Sequence, residues 1–212
     1  MNRFLIPTPE SDAALMTTTS DLTTGGRVRP ITRWGSPVMH TPTEPVTVFD
    51  DALRELARDM FATMEAAAGV GLAATQVGVG ISMFVFDCPD ADDERHVGVV
   101  CNPVVELPSG KERRLEVADE GCLSLPGAYA ELARPDHAIC RGQDAYGNDV
   151  EIVGTGLLAR CLQHETDHLN GIVFGDRLRG KLRKGLYAAH EETADRYPAD
   201  WPVQDREPVE GS

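Results

Sequence analysis

The chain has 212 residues, 42% of them hydrophobic, and its 20 basic and 34 acidic residues leave a formal charge of -14. That length and apolar content suit one domain with a buried core, while the negative charge repels a phosphate backbone and argues against DNA or RNA as the main ligand. No stretch approaches the roughly 18 consecutive apolar residues of a membrane span, and an odd set of cysteines (Cys88, Cys101, Cys122, Cys140, Cys161) in an acidic domain argues against a disulfide framework.

Residues 1–26 are rich in Thr, Ser and Pro, lack periodicity and close on Gly25-Gly26, which predicts a flexible N-terminal arm. They contain no apolar run of the roughly 7–15 residues of a signal peptide, so a cytoplasmic location is expected. From Asp50, apolar residues at Leu53, Leu56, Ala57, Met60, Phe61 and Met64 have the spacing of a helix with one buried face, capped by Asp50 and stopped by Gly69. A small-residue segment, Gly69 to Gln76, precedes β-favouring runs at Met83 to Phe86 and Val97 to Val105. Segments around 112–119 and 128–153 read as antiparallel strands, with Ala145 to Asp149 as a turn. Thr155 or Gly156 opens a second helix that Asn170-Gly171 ends. A charged helical segment follows from about Asp176 to Arg196, and Pro198 and Pro202 mark a frayed tail. The expected division is an arm at 1–26, a single catalytic domain at 27–197 and a tail at 198–212.

The second helix carries His164-Glu165-Thr166-Asp167-His168. Two imidazoles four residues apart on a helix can grip one metal ion while the glutamate between them stands beside it, an arrangement suited to hydrolysis. At about 100° per residue, Leu157, Cys161, His164 and His168 fall within a sector of roughly 60°, with Glu165 adjoining it. Arg160, Gln163, Thr166, Asp167 and Asn170 fall on the opposite, polar side. The histidines and the glutamate therefore point inward, where an unpaired carboxylate is costly and a metal would compensate.

Two histidines leave a catalytic site one protein ligand short. A metzincin-type third histidine would stand at position 174, which is Phe174 and cannot coordinate. A thermolysin-like glutamate could come from Glu191 or Glu192, although both lie in a charged segment that reads as a solvated helix face. Cys122, in Glu120-Gly121-Cys122-Leu123-Ser124-Leu125-Pro126, is the third candidate.

Three segments together, Gly69-Val70-Gly71-Leu72-Ala73-Ala74-Thr75-Gln76, Glu120-Gly121-Cys122-Leu123-Ser124 and Gln163-His164-Glu165-Thr166-Asp167-His168, resemble the motifs of the peptide deformylases, in order and in separation. The resemblance spans roughly 30–190. It implies Cys122, His164 and His168 as metal ligands and Glu165 as the general acid/base that works on an activated water. It implies Gln76 and the Leu123 N–H as oxyanion donors, and main-chain pairing of the substrate near Val70, Gly71 and Gly121. The methionine pocket would be walled by Val70, Leu125, Leu157, Cys161 and the ring of His164, and Glu120 with Arg134 would form an ion pair supporting the metal-binding loop.

The implied activity is removal of the formyl group from the N-terminal formylmethionine of nascent peptides, with release of formate. The implied cofactor is one Fe²⁺, lost to function when the iron or the Cys122 thiolate is oxidised. Donor type alone also accommodates Zn²⁺, Ni²⁺ or Co²⁺. The basic cluster Arg177, Arg179, Lys181, Arg183 and Lys184 suggests either a solvated helix face or transient ribosome contact. The expected fold is α+β: antiparallel β-sheets packed around a central helix carrying the H-E-x-x-H motif, with an N-terminal helix and a C-terminal helix. A metalloendopeptidase and a structural metal-binding protein are the rivals. Glu165 argues against the latter, because a closed structural site needs four ligands and no base.

Overall fold

The Asp50 carboxylate accepts a hydrogen bond from the Leu53 N–H and starts helix α1, Asp51–Ala66. The computed structural model to which this helix belongs describes residues 21–203. After α1 come strands β1 (Gly71–Ala73), β2 (Met83–Pro89) and β3 (Arg95–Glu106), then a hairpin of β4 (Leu115–Gly121) and β5 (Tyr129–Pro135), then β6 (His137–Gln143) and β7 (Asp149–Thr155). Helix α2, Gly156–Leu169, follows, then a single turn α3, Phe174–Arg177, and helix α4, Gly180–Thr193. The architecture is α+β, as expected.

Five strands form one antiparallel sheet in the order β1-β2-β3-β6-β7, and β4 pairs with β5 in a separate two-stranded sheet. Alternation along a strand sends successive side chains to opposite faces. Met83 and Val85 join Val99 and Cys101 under the apolar face of α1. Phe84, Phe86 and Cys88 join Val100, Cys140 and Ile152 under Leu158, Cys161 and Leu162 of α2. With a helix on each face, β2 reads as a continuous apolar run.

The region expected as one charged helix from about Asp176 to Arg196 is broken. The backbone is extended at Leu178 and Arg179, which separates α3 from α4, and a 3-10 turn at Ala194–Arg196 ends the segment. Phe174, which could not complete the metal site, is fully buried and stacks on the His164 ring at 6.0 Å.

Residues 21–26 of the expected arm and 198–203 of the expected tail are packed on the domain. Leu22 lies in the core beneath α1, and the Tyr146 hydroxyl donates to the Asp21 carboxylate at 2.5 Å. Pro202 is buried, and Trp201 packs against the same core. Residues 1–20 and 204–212 lie outside the described residues.

Candidate active site

Three separate elements converge on one cleft of about 280 Å³ between the large sheet, α2 and the β4–β5 hairpin. A 3-10 turn after β1 presents Gln76, the turn after β4 presents Cys122 and Leu123, and α2 presents His164 and Glu165 and carries the fully buried His168 one turn on. Cys122 Sγ lies 3.2 Å from His168 Nε2, which lies 3.1 Å from His164 Nε2. A tetrahedral site with metal–nitrogen bonds of about 2.1 Å and a metal–sulfur bond of about 2.3 Å has edges of about 3.4 to 3.6 Å, so these two edges already lie within tenths of an ångström of that geometry, and all three donor atoms fall within 4.8 Å of one another. His168 is fully buried, its Nδ1 has no hydrogen-bond partner among the described residues, and burial holds its pKa well below the ordinary value. It therefore presents a neutral imidazole, the form that coordinates. One thiol and two imidazoles facing one another fit a metal of the zinc or ferrous-iron type, and among the described residues Glu191 and Glu192 are not grouped with them.

Glu165 is buried, and its Oε2 has no partner among the described residues. Burial, opposed by the charge of His164, pushes its pKa up to about 7. A carboxyl group poised there, beside a metal site, can take and return a proton near neutral pH. Gln76 is held by its own oxygen, which accepts from the Ala73 N–H at 2.8 Å, so its amide nitrogen is turned toward Ser124 Oγ at 3.3 Å and Cys122 Sγ at 3.7 Å.

Behind the candidate donors runs a chain of charges. His164 Nδ1 lies 2.8 Å from Glu120 Oε1, leaving Nε2 to face the cleft. Arg134 donates two bonds to Glu120, at 2.7 and 2.6 Å, and one to Asp167 at 3.0 Å. Asp167 also accepts from Arg177. Burial alone would raise the Glu120 pKa, but the hydrogen bonds from Arg134 and His164 outweigh it and hold the carboxyl well below the usual carboxylate range.

Arg160 corrects the one-sided reading of α2. It was expected on a polar face with Gln163 and Asp167, yet all three are buried, because the β4–β5 hairpin covers that side of the helix. The Arg160 guanidinium donates to the carbonyls of Glu116, Ala118 and Leu132 and to Glu120 Oε2, tying the hairpin that leads to Cys122 to the helix that carries the histidines. A signal existed: position 160 stands one helical turn before His164 and so shares its stripe.

Val70, Gly71, Gly121, Leu125, Leu157 and Cys161 all line the cleft. The two glycines matter for a reason other than ligand access alone. A Cβ at Gly71 would lie 2.5 Å from Glu165 Oε1 and 2.7 Å from Cys161 Sγ, and one at Gly121 would lie 2.5 Å from the Tyr129 ring. Each lets a cleft side chain pass close to the backbone.

Comparison with known proteins agrees with this geometry. The sequence profile of the polypeptide deformylase family matches residues 28–184. The chain is 53% identical over 174 residues to peptide deformylase 1 of Streptomyces avermitilis, covering 82% of this chain and 80% of that protein. It is 47% identical to a peptide deformylase of Acidothermus cellulolyticus, over 84% and 90% of the two chains. Among solved structures, a peptide deformylase from Legionella pneumophila superposes with a TM-score of 0.71 at 36% identity, covering 80% of this chain and 96% of that one. One from Synechococcus elongatus in complex with actinonin gives 0.69 at 37% identity, over 81% and 95%.

Proposed function

This chain belongs to the polypeptide deformylase family, and from that premise we propose that it hydrolyses the N-terminal formyl amide of nascent formylmethionyl peptides, with Cys122, His164 and His168 as metal ligands and Glu165 as the proton carrier. The observation that carries the reading is the buried Glu165, one oxygen unpartnered, in the cleft lined by Cys122 and His164, whose donor atoms group with that of His168. When bound, a divalent cation supplies Lewis-acid activation of water and of the formyl carbonyl. Glu165 takes the proton of the attacking water and hands it to the departing amine, which leaves formate and a free N-terminus. The Gln76 amide and the Leu123 N–H donate to the oxygen on which negative charge develops. Cys161, Leu125, Leu157 and Val70 hold the unbranched methionine side chain, and the free edge of β1 with Gly71 and Gly121 pairs with the peptide backbone.

Formate release from formyl-Met peptides, set beside cleavage of unformylated internal peptide bonds, tests the reading. Formate without internal cleavage is expected, and internal cleavage without formate would overturn it in favour of an endopeptidase.

Fe²⁺ is the proposed physiological ion, with Zn²⁺, Ni²⁺ or Co²⁺ as substitutes. Protein purified without oxygen should contain iron by elemental analysis, and Cys122→Ala should lose most of it, since the soft ligand disappears from the set. A zinc-exchanged enzyme markedly more active than the iron form would sink the choice of iron. Segment 27–197 is read as one catalytic domain working in the cytoplasm. A transient ribosome contact would use exposed Arg179, Lys181 and Lys184, because Arg177 is engaged by Asp167 and Arg183 by Asp176.

A further inference from the structure

The cleft that holds Cys122, Gln76 and Glu165 is also lined by Tyr197 and Trp201. Both lie beyond residue 184, where the family profile ends. Their rings meet edge to face at 5.1 Å.

The segment that carries them is anchored on two sides. The Ile31 N–H donates to the Trp201 carbonyl at 2.9 Å, and the Arg33 guanidinium donates to the carbonyls of Tyr197 and Pro198, each at 3.0 Å. The same guanidinium stands 5.4 Å from the Trp201 ring centre. On the other side, His190 Nδ1 lies 3.1 Å from the Pro126 carbonyl, to which the Thr193 hydroxyl also donates. A Cβ at Gly127 would come within 3.0 Å of the Tyr197 ring, so that turn and the tail are in close contact. Pro126 and Gly127 follow Cys122 by only a few residues, so the tail that carries the aromatic pair packs directly on the loop that bears Cys122.

We propose that Tyr197 and Trp201 are specificity-determining residues: they form an aromatic wall that reads the peptide segment after the formylmethionine and favours a large apolar side chain within its first two residues. The inference rests on the deformylase reading, which puts the formyl carbon beside Glu165. An extended peptide advances about 3.3 Å per residue, and the cleft lining that includes the two rings also includes Gly69, Ala68 and Ala67, whose side chains are small. Aromatic rings offer broad apolar contact with little conformational freedom to lose, which suits a wall that must accept many sequences.

The test is the ratio of kcat/KM for formyl-Met-Phe-Ala and formyl-Met-Ala-Phe amides to that for formyl-Met-Ala-Ala amide, read as formate release by the metal-loaded full chain. The wild type should favour the better Phe peptide by roughly five- to tenfold, the worth of one aromatic contact. Tyr197→Ala and Trp201→Ala should bring the ratio to within about twofold of unity, and Tyr197→Phe should keep it. Because a ratio is independent of the fraction of folded enzyme, a smaller folded fraction after loss of Trp201 cannot mimic the result. Formate from all peptides with the wild-type ratio retained in both alanine variants, or no preference in the wild type, overturns the wall and leaves the deformylase reading standing. No formate from any peptide overturns both.

Discussion

Replacing Glu165 by Gln is expected to leave the metal in place and to lower kcat for formate release by about 10²- to 10⁴-fold, the usual worth of a positioned acid/base. The amide keeps the size of the side chain but can neither take the water's proton nor deliver one to the amine. Metal content should not follow activity, because the three proposed ligand atoms come from Cys122, His164 and His168 and not from Glu165. A stability effect of the opposite sign should accompany the loss. Burial raises the Glu165 pKa to about 7, so in the metal-free protein the carboxyl resists the ionisation it undergoes freely when unfolded. That penalty is absent below the unfolded value of about 4.3, grows as pH rises toward 7 and is constant above it. Metal-free Glu165→Gln should therefore melt above the wild type at pH 7.5, with the gap closing near pH 4. Loss of metal together with activity, or a lower melting temperature at pH 7.5, would contradict the assignment of Glu165 as a buried base outside the ligand set.

The elements that sequence patterning recovers are those whose signals are local. Asp50 caps α1 through the bond its position implies, and the apolar spacing from Leu53 to Met64 marks its buried face. The 14 residues of α2 begin and end at the expected turn residues. What patterning misses is decided by partners distant in the chain. Arg160, Gln163 and Asp167 read as a solvated face because charge and amide normally mean water, but carbonyls of β4 and β5 and the guanidinium of Arg134 replace that water. Arg177 reads as one of a basic cluster, yet its partner Asp167 lies on another helix. Pro198 and Pro202 read as fraying, whereas anchors at Ile31 and Arg33, more than 160 residues earlier, fix the backbone between them. At the site, the motifs name the donors, while the direction in which Gln76 points depends on the Ala73 N–H, which spacing alone does not specify.

The largest stability effect is expected from Arg134→Met. Arg134 is 3% exposed and bridges two buried carboxylates, Glu120 and Asp167. Removing one member of a buried charge cluster leaves its partners desolvated and short of compensation, a loss of about 3 to 5 kcal/mol, which is a large share of the 5 to 15 kcal/mol that typically separates folded from unfolded domains. Asp167 keeps Arg177, so most of the deficit should fall on Glu120, which retains only Arg160 and His164. The pH dependence follows from that residue. Its carboxyl is held well below the usual range in the wild type, so the stability it contributes is present above the unfolded value and is lost as pH falls. In Arg134→Met a proton can neutralise Glu120 in place of the arginine, so the urea midpoints of metal-free variant and wild type should differ most near pH 7.5, with the gap narrowing as pH falls toward 4 and closing only below it, where wild-type Glu120 itself takes up a proton. The double variant Glu120→Gln, Arg134→Met should recover part of the loss at pH 7.5, because the two effects share one interaction. Metal affinity should fall in the single variant by roughly 10- to 100-fold, since Glu120 orients His164 through Nδ1. If the midpoint shift were independent of pH and unrelieved in the double variant, lost packing of the arginine stem would account for it, and the charge chain would have no part in holding His164 toward the cleft.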